Sequence, residues 1–199
     1  EHGADSVLYS ATKYIGGHSD VIAGACCGSN EVISRIKVLR TFLGNMAAPH
    51  TGWLLMRSLE TLKIRMEQQA RNAQEVATYL DGHKKVEKVY YLGLIKENTK
   101  EYEIYQKQYD SPGAMLSFDI VGGEKEAFKF IDSLKLIKLA VSLGGTESLV
   151  EHPATMTHAG VEPNHRKELS ITEKLVRISV GVENYEDLIW DINQALEKV

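Results

Sequence analysis

The stretch Val7–Gly24, VLYSATKYIGGHSDVIAG, decides the reading of this chain. One lysine, Lys13, stands between a hydroxyl-bearing strand end and the Gly16-Gly17 turn signal, inside an otherwise apolar run. The flanking segments Val7–Ser10 and Val21–Ala25 are short and apolar and sit either side of the glycines, which predicts two buried strands. A lysine amine condenses with a carbonyl compound only when some of it is neutral, and burial beside a strand end favours the neutral form. Ser10 and Thr12 lie two apart, so on an extended strand end their hydroxyls would point to one side and could donate to phosphate oxygens. Amine and hydroxyls together suggest a phosphorylated aldehyde. The competing reading is a lysine that ends a strand and reaches into water along its aliphatic stem.

Outward from that stretch, helical spacing recurs from Asn30 to about Leu39 through Val32, Ile33, Ile36 and Leu39, and Gly44–Pro49 breaks it as a loop. Thr51–Leu80 reads as almost continuous helix, with Met66, Ala70, Ala73, Val76, Ala77 and Leu80 on one stripe and Asp81-Gly82 as the stop. A helical region of that length spans about 45 Å, enough to bridge two domains. Beyond Gly82 the texture changes. VEKVYYL, GAMLSFDIV, KLAVSL and LVRISVGV are β-rich, while Glu124–Leu134 and Tyr185–Leu196 have helical periodicity. Polar Lys96–Asp110 places Tyr102, Tyr105 and Tyr109 on one face of a short helix ended by Ser111-Pro112-Gly113. The expected division is 1–82, the end of an α/β domain with its connecting helices, and 83–199, a small α+β domain.

Composition narrows the function. The chain has 199 residues, 43% hydrophobic, with 23 basic against 27 acidic residues and a net charge of −4. Without a long basic stripe a nucleic-acid partner is not expected. No apolar run reaches the roughly 20 residues of a membrane span, and the opening Glu-His-Gly-Ala-Asp lacks the basic and apolar regions of a signal peptide. The two cysteines, Cys26 and Cys27, are adjacent, a spacing that suits neither a disulfide framework nor a metal knuckle. A cytoplasmic protein is expected. His152 and His158 match none of the usual metal-ligand spacings, so no metal is expected, and His18 reads as a structural loop residue. The absence of an initiating methionine, just before a strand pattern, suggests a cut rather than a natural start.

In LVRISVG, Val176, Ile178 and Val180 share one face of a strand while Arg177 and Ser179 share the other. Arg177 is then either an exposed charge on the open face of a sheet or a fork for a carboxylate. Ser142 lies in VSLGGTES, where Gly144-Gly145 permit close backbone approach.

SATKYIGGHSDVIAG closely resembles the lysine motif of the Cys/Met-metabolism family of pyridoxal-phosphate enzymes. The resemblance continues in order through PHTGWLLMRSLETLKIRM, AVSLGGTESLVEHPATMTHAG and LVRISVGVEN, so it covers essentially the whole chain. It implies the carboxyl-terminal half of a fold-type-I enzyme: the end of a large, mostly parallel α/β domain followed by a small α+β domain. It implies pyridoxal 5'-phosphate as cofactor, with Lys13 as its Schiff-base lysine and catalytic proton carrier, and Ser10 and Thr12 contacting its phosphate. It also implies that Arg177 and Ser142 hold the α-carboxylate of an amino-acid substrate, with Thr157 near the same pocket.

Family members differ at the position of Val141. Cystathionine-type lyases and synthases typically place a glutamate there, which can meet a distal ammonium. Methionine γ-lyases resemble this chain in placing an apolar residue, which suits a thioether. Sulfhydrylases usually read Asn where Ser142 stands. Elimination at the γ-sulfur of methionine is therefore expected first, with cystathionine γ-synthase or γ-lyase chemistry as the alternative. Well-known methionine γ-lyases read Gly where Ser19 stands and Lys-Asp where Arg40-Thr41 stand, so their finer substrate contacts are not carried over. Family enzymes also place a phosphate loop, a stacking aromatic, an aspartate for the ring nitrogen and a neighbouring subunit's Tyr/Arg pair ahead of the lysine. The resemblance thus implies a piece of a longer, homotetrameric enzyme. Alone, the chain is expected to be inactive, a scaffold whose role is packing and oligomerisation.

Overall fold

A computed structural model describes residues 3–199; the opening Glu1-His2, part of the segment read against a signal peptide, lies outside the described residues. The chain divides into two compact units, residues 1–63 and 64–199. This division falls at the start of a helix, whereas the texture of the sequence changes after Gly82.

In the first unit, β1 (Ser6–Ser10) and β2 (Gly24–Gly28) pair antiparallel, with Leu8 opposite Cys26 and Ser10 opposite Gly24. The second strand starts three residues later than the apolar run at Val21 predicts, because residues 11–17 form a compact turn. The two strands are also exposed, not buried: Leu8 is 79% exposed. A lone two-stranded ribbon offers no second layer of its own to cover either face. Helix α1 (Asn30–Leu43) follows, with Ser29 Oγ accepting from the Val32 N–H at 3.3 Å and Glu31 favourably placed in its first turn. It runs a turn beyond the predicted Leu39 and buries no residue. Pro49 opens α2 (Pro49–Leu59), where its missing N–H costs nothing.

The continuous helix predicted over Thr51–Leu80 is two helices, α2 and α3 (Leu62–Asp81). Between them the Ser58 carbonyl accepts both the N–H of Thr61 at 3.3 Å and its hydroxyl at 3.2 Å, a local turn that cuts the i→i+4 ladder. The predicted stripe on α3 is buried from Ala70 to Leu80, whereas Met66 is half-buried.

The second unit is built on one sheet of β3 (Val86–Tyr90), β4 (Met115–Ile120), β5 (Lys138–Leu139), β6 (Leu149–Glu151) and β7 (Leu175–Ser179), ordered β3-β4-β7-β6-β5. Only β5 and β6 run parallel; the other neighbours are antiparallel. The alternation of Leu116, Phe118 and Ile120 on β4 and of Val176, Ile178 and Val180 along β7 sends these side chains to one face. There they form a core with α3, α5 (Glu124–Ser133) and α7 (Tyr185–Leu196). Phe118 and Phe130 meet edge to face at 5.5 Å in that core. The short helix α4 (Lys100–Gln108) carries Tyr102 and Tyr105, and their rings and that of Tyr109 follow one another at 6.3 and 6.0 Å along one face. The run KLAVSL yields only the two-residue β5, because the chain leaves the ladder before Ser142, which has φ 101°. Strand β6 and the short α6 (Pro163–Glu168) were not anticipated.

Candidate functional site

Lys13 sits in a tightly bonded turn. Its N–H donates to the Ser10 carbonyl at 3.1 Å, its own carbonyl accepts from Gly17 at 2.7 Å, and the Gly16 N–H reaches Ala11 at 2.7 Å. A side chain at Gly16 would come within 2.6 Å of Val21 Cγ1 and 2.9 Å of the Ala11 oxygen, so only glycine lets the turn close this far. The half-buried Lys13 therefore stands on a backbone that leaves it little freedom. His18 donates from Nδ1 to the Gly16 carbonyl at 2.8 Å, the structural loop role expected of it.

Thr12 departs from the sequence reading. β1 ends at Ser10, so Thr12 lies in the turn and does not share a strand face with Ser10. Its hydroxyl accepts from the Ala23 N–H at 3.0 Å and donates to the Ala23 carbonyl at 3.3 Å, closing the turn onto the approach to β2. A hydroxyl has one proton to donate, and this one is committed. Ser10 remains exposed at the strand end.

In the second unit, Arg177 projects from β7 on the face opposite the core. The ladder sets Ser117 and Glu151 on either side of it. Nη1 lies 2.8 Å from Glu151 Oε1, and Nη2 donates to the Ser142 carbonyl at 2.8 Å. The arginine side chain keeps 22% exposure, and Glu151 has none. The guanidinium is both ion-paired and partly open. Ser142 therefore meets Arg177 through its backbone oxygen, and its neighbour Val141 is 53% exposed.

The loop that presents these two residues is braced from several sides. Gly144 donates to Ser179 Oγ at 3.0 Å, and Gln69 of α3 donates to the Gly145 carbonyl at 2.6 Å. Ser148 donates from Oγ to Glu183 Oε2 at 2.9 Å and accepts the Gly181 N–H at 2.8 Å. The buried amide of Asn72 donates to the Gly181 and Glu183 carbonyls at 3.0 and 2.7 Å. Any side chain at Gly181 would overlap the carbonyl of Thr146, so the brace requires glycine there.

Thr157 donates to Glu151 Oε1 at 3.0 Å. Its single proton being spent, the 2.9 Å contact with His158 has Nδ1–H donating to the threonine oxygen. His152 is buried, donating from Nε2 to the Glu173 carbonyl and accepting the Thr155 hydroxyl at Nδ1, each at 2.8 Å. Among the described residues no cluster of three or more His, Cys, Asp or Glu is placed to hold a metal ion. No described helix is long and apolar enough to cross a membrane.

Glu151 escaped the sequence reading. Its signal was available: in SLVEHP the alternation around core-facing Val150 puts Glu151 on the face that carries Arg177. What the alternation lacks is the strand order that makes them neighbours.

A family model for "Cys/Met metabolism PLP-dependent enzyme" matches residues 1–197. The chain belongs to that family. Pyridoxal phosphate is the family's cofactor, and the sheet-and-helix architecture is the family's fold. The chain is similar to L-methionine gamma-lyase of Porphyromonas gingivalis, 45% identical over 201 residues that cover 100% of this chain and 50% of that protein. It is also similar to cystathionine beta-lyase of Lactococcus lactis subsp. cremoris, 46% identical across 98% of this chain and 51% of the relative. A solved structure of cystathionine gamma synthase from Xanthomonas oryzae pv. oryzae, in complex with aminoacrylate and cysteine, superposes with a TM-score of 0.92. It shares 40% identity over 98% of this chain and 50% of its own. The chain spans about half the length of the curated relatives it matches. For the family cofactor, the donor set of the first unit fits in kind: a primary amine on a rigid turn and a hydroxyl at the adjoining strand end suit a phosphorylated aldehyde. Thr12 offers no proton to that phosphate in this structure.

Proposed function

We propose that the complete polypeptide carrying this chain is a pyridoxal-phosphate-dependent carbon–sulfur lyase. It takes L-methionine, or a related thioether amino acid, and water to 2-oxobutyrate, ammonia and a thiol. Lys13 would hold the cofactor through its amine, with Ser10 at its phosphate. With the cofactor bound, Lys13 would move protons at the substrate's Cα and the neighbouring carbon. Bound pyridoxal phosphate supplies an electron sink for the charge left at Cα. Arg177 pairs with the substrate's α-carboxylate, and the Ser142 loop lines the same carboxylate. The reading extends to a cytoplasmic homotetramer by family resemblance, and to a 199-residue chain that is inactive alone, so that only the longer polypeptide develops cofactor absorbance dependent on Lys13.

The observation that supports methionine is the join, within one braced loop, of Ser142, whose carbonyl meets Arg177, to the exposed apolar Val141. That valine offers an ammonium no counter-charge or hydrogen-bond acceptor and offers a thioether an apolar contact. The second reading, cystathionine γ-synthase or γ-lyase chemistry, is favoured by the similarity to the cystathionine gamma synthase structure. Comparing kcat/KM for methionine and cystathionine in the full-length holoenzyme separates the two. Faster release of 2-oxobutyrate from methionine is expected, and faster release from cystathionine would reverse the assignment.

A further inference from the structure

Glu151 is a carboxylate with no exposed surface, and one of its oxygens, Oε2, is buried without a hydrogen-bond partner among the described residues. Withdrawing a charge from water costs several kcal/mol unless a counter-charge and hydrogen bonds offset it. Arg177 supplies the counter-charge, yet the pair is not built as a stability element would be. A two-bond fork would set Nε and one Nη against both carboxylate oxygens. Here Arg177 Nε is itself buried and unpartnered among the described residues, and only Nη1 meets Glu151, through Oε1 alone. Nη2 is taken by the Ser142 carbonyl at 2.8 Å. The guanidinium is thus held by an ion-pair contact at Nη1 and a hydrogen bond at Nη2, and each of those nitrogens carries two N–H groups. Two N–H groups at the end of a partly exposed fork are what a carboxylate takes with two bonds. Glu151 in turn is held at the same Oε1 by the Thr157 hydroxyl at 3.0 Å.

We infer that Glu151 is the positioning residue for the substrate's α-carboxylate. It holds the Arg177 guanidinium in the orientation that receives the carboxylate, Thr157 fixes Glu151, and neither residue touches substrate. This deepens the proposed function and rests on its assignment of Arg177 to the carboxylate. It also moves Thr157 from the substrate shell to the support behind it.

The test is steady-state kinetics of the full-length holoenzyme with whichever of methionine or cystathionine it turns over better. Glu151→Asp keeps the charge and withdraws the acceptor by one carbon–carbon bond. Misplacement by about 1 Å can cost ~100-fold in a positioned site, so a rise in KM of about 10-fold or more is expected, with kcat within about threefold. Glu151→Gln keeps the acceptor at full reach and should recover most of that loss. In an Arg177→Ala background, Glu151→Asp should add nothing further. A Glu151→Asp enzyme with unchanged KM overturns the inference, as does an effect that persists undiminished without Arg177. Should Glu151→Asp fail to fold, Thr157→Val takes its place, with a raised KM expected and an unchanged one overturning the inference. An Arg177→Ala enzyme with unchanged KM would remove the carboxylate assignment beneath, a failure distinct from that of Glu151 alone.

Discussion

Arg177 donates to the carbonyl oxygen of Ser142 at 2.8 Å, and Ser142 presents that oxygen at φ 101°. A non-glycine residue at such an angle stores about 1–3 kcal/mol that its surroundings must offset. Here the offsets are the Gln69, Ser179 and Asn72 braces on the loop and the segment beside it. Ser142→Gly is expected to leave stability unchanged or raise it, and Ser142→Val to lower it by about 1–3 kcal/mol, read as shifts in urea midpoint. The same glycine variant should raise KM in the holoenzyme, since the loop is then free to leave its strained form. Equal stability for the two variants would remove the strain argument.

The lysine turn separates chemistry from stability. The backbone bonds of Lys13 to Ser10 and Gly17 do not involve its side chain. Lys13→Ala in the full-length enzyme should therefore retain its far-ultraviolet spectrum. Its turnover should fall by ~10²–10⁴-fold or more, because proton transfer at Cα loses its carrier. Turnover within tenfold of the unsubstituted enzyme would sink the assignment.

Asp191 of α7 is fully buried and accepts three successive backbone N–H groups, from Lys135 and Leu136 at 2.8 Å and from Ile137 at 2.9 Å. Both carboxylate oxygens are needed, one for Lys135 and the other for Leu136 and Ile137. Asp191→Asn must turn an NH2 toward at least one of these donors. A loss of about 1–3 kcal/mol is expected in chemical denaturation, with the carboxyl-terminal unit affected first. An unchanged midpoint would show that the turn finds other acceptors.

His83 gives stability a pH dependence. Burial, then the charges of Lys84 and Lys85, push its imidazole below the usual histidine range, against a smaller opposing pull from Glu197. Its Nδ1 also accepts the Lys85 N–H at 3.2 Å, a bond that protonation removes. The unfolded chain binds this proton more tightly than the fold does. The stability involved is therefore present above the unfolded-chain value of about 6.5 and is lost as pH falls from there through the lower folded value. The melting temperature should drop between about pH 7.5 and pH 5.5, and less steeply in His83→Gln. Identical slopes for the two proteins would assign the effect to other groups.

Local periodicity and motif order by themselves determined much of this protein. The 3.6-residue spacing placed α5 and α7 within a residue or two, and the two-residue alternation of LVRISVG settled which side chains of β7 enter the core. The order of the motifs around Lys13, Ser142 and Arg177 was sufficient to assign the family. These are properties of neighbours along the chain, where geometry follows directly from spacing. Only the tertiary structure decided that Thr12 turns inward to Ala23 and that Glu151 stands beside Arg177. In each case the deciding contact joins groups that local periodicity does not bring together. For Glu151 the reason is strand order: β6 lies next to β7 although α6 intervenes in the chain, and no pattern within either strand encodes that adjacency.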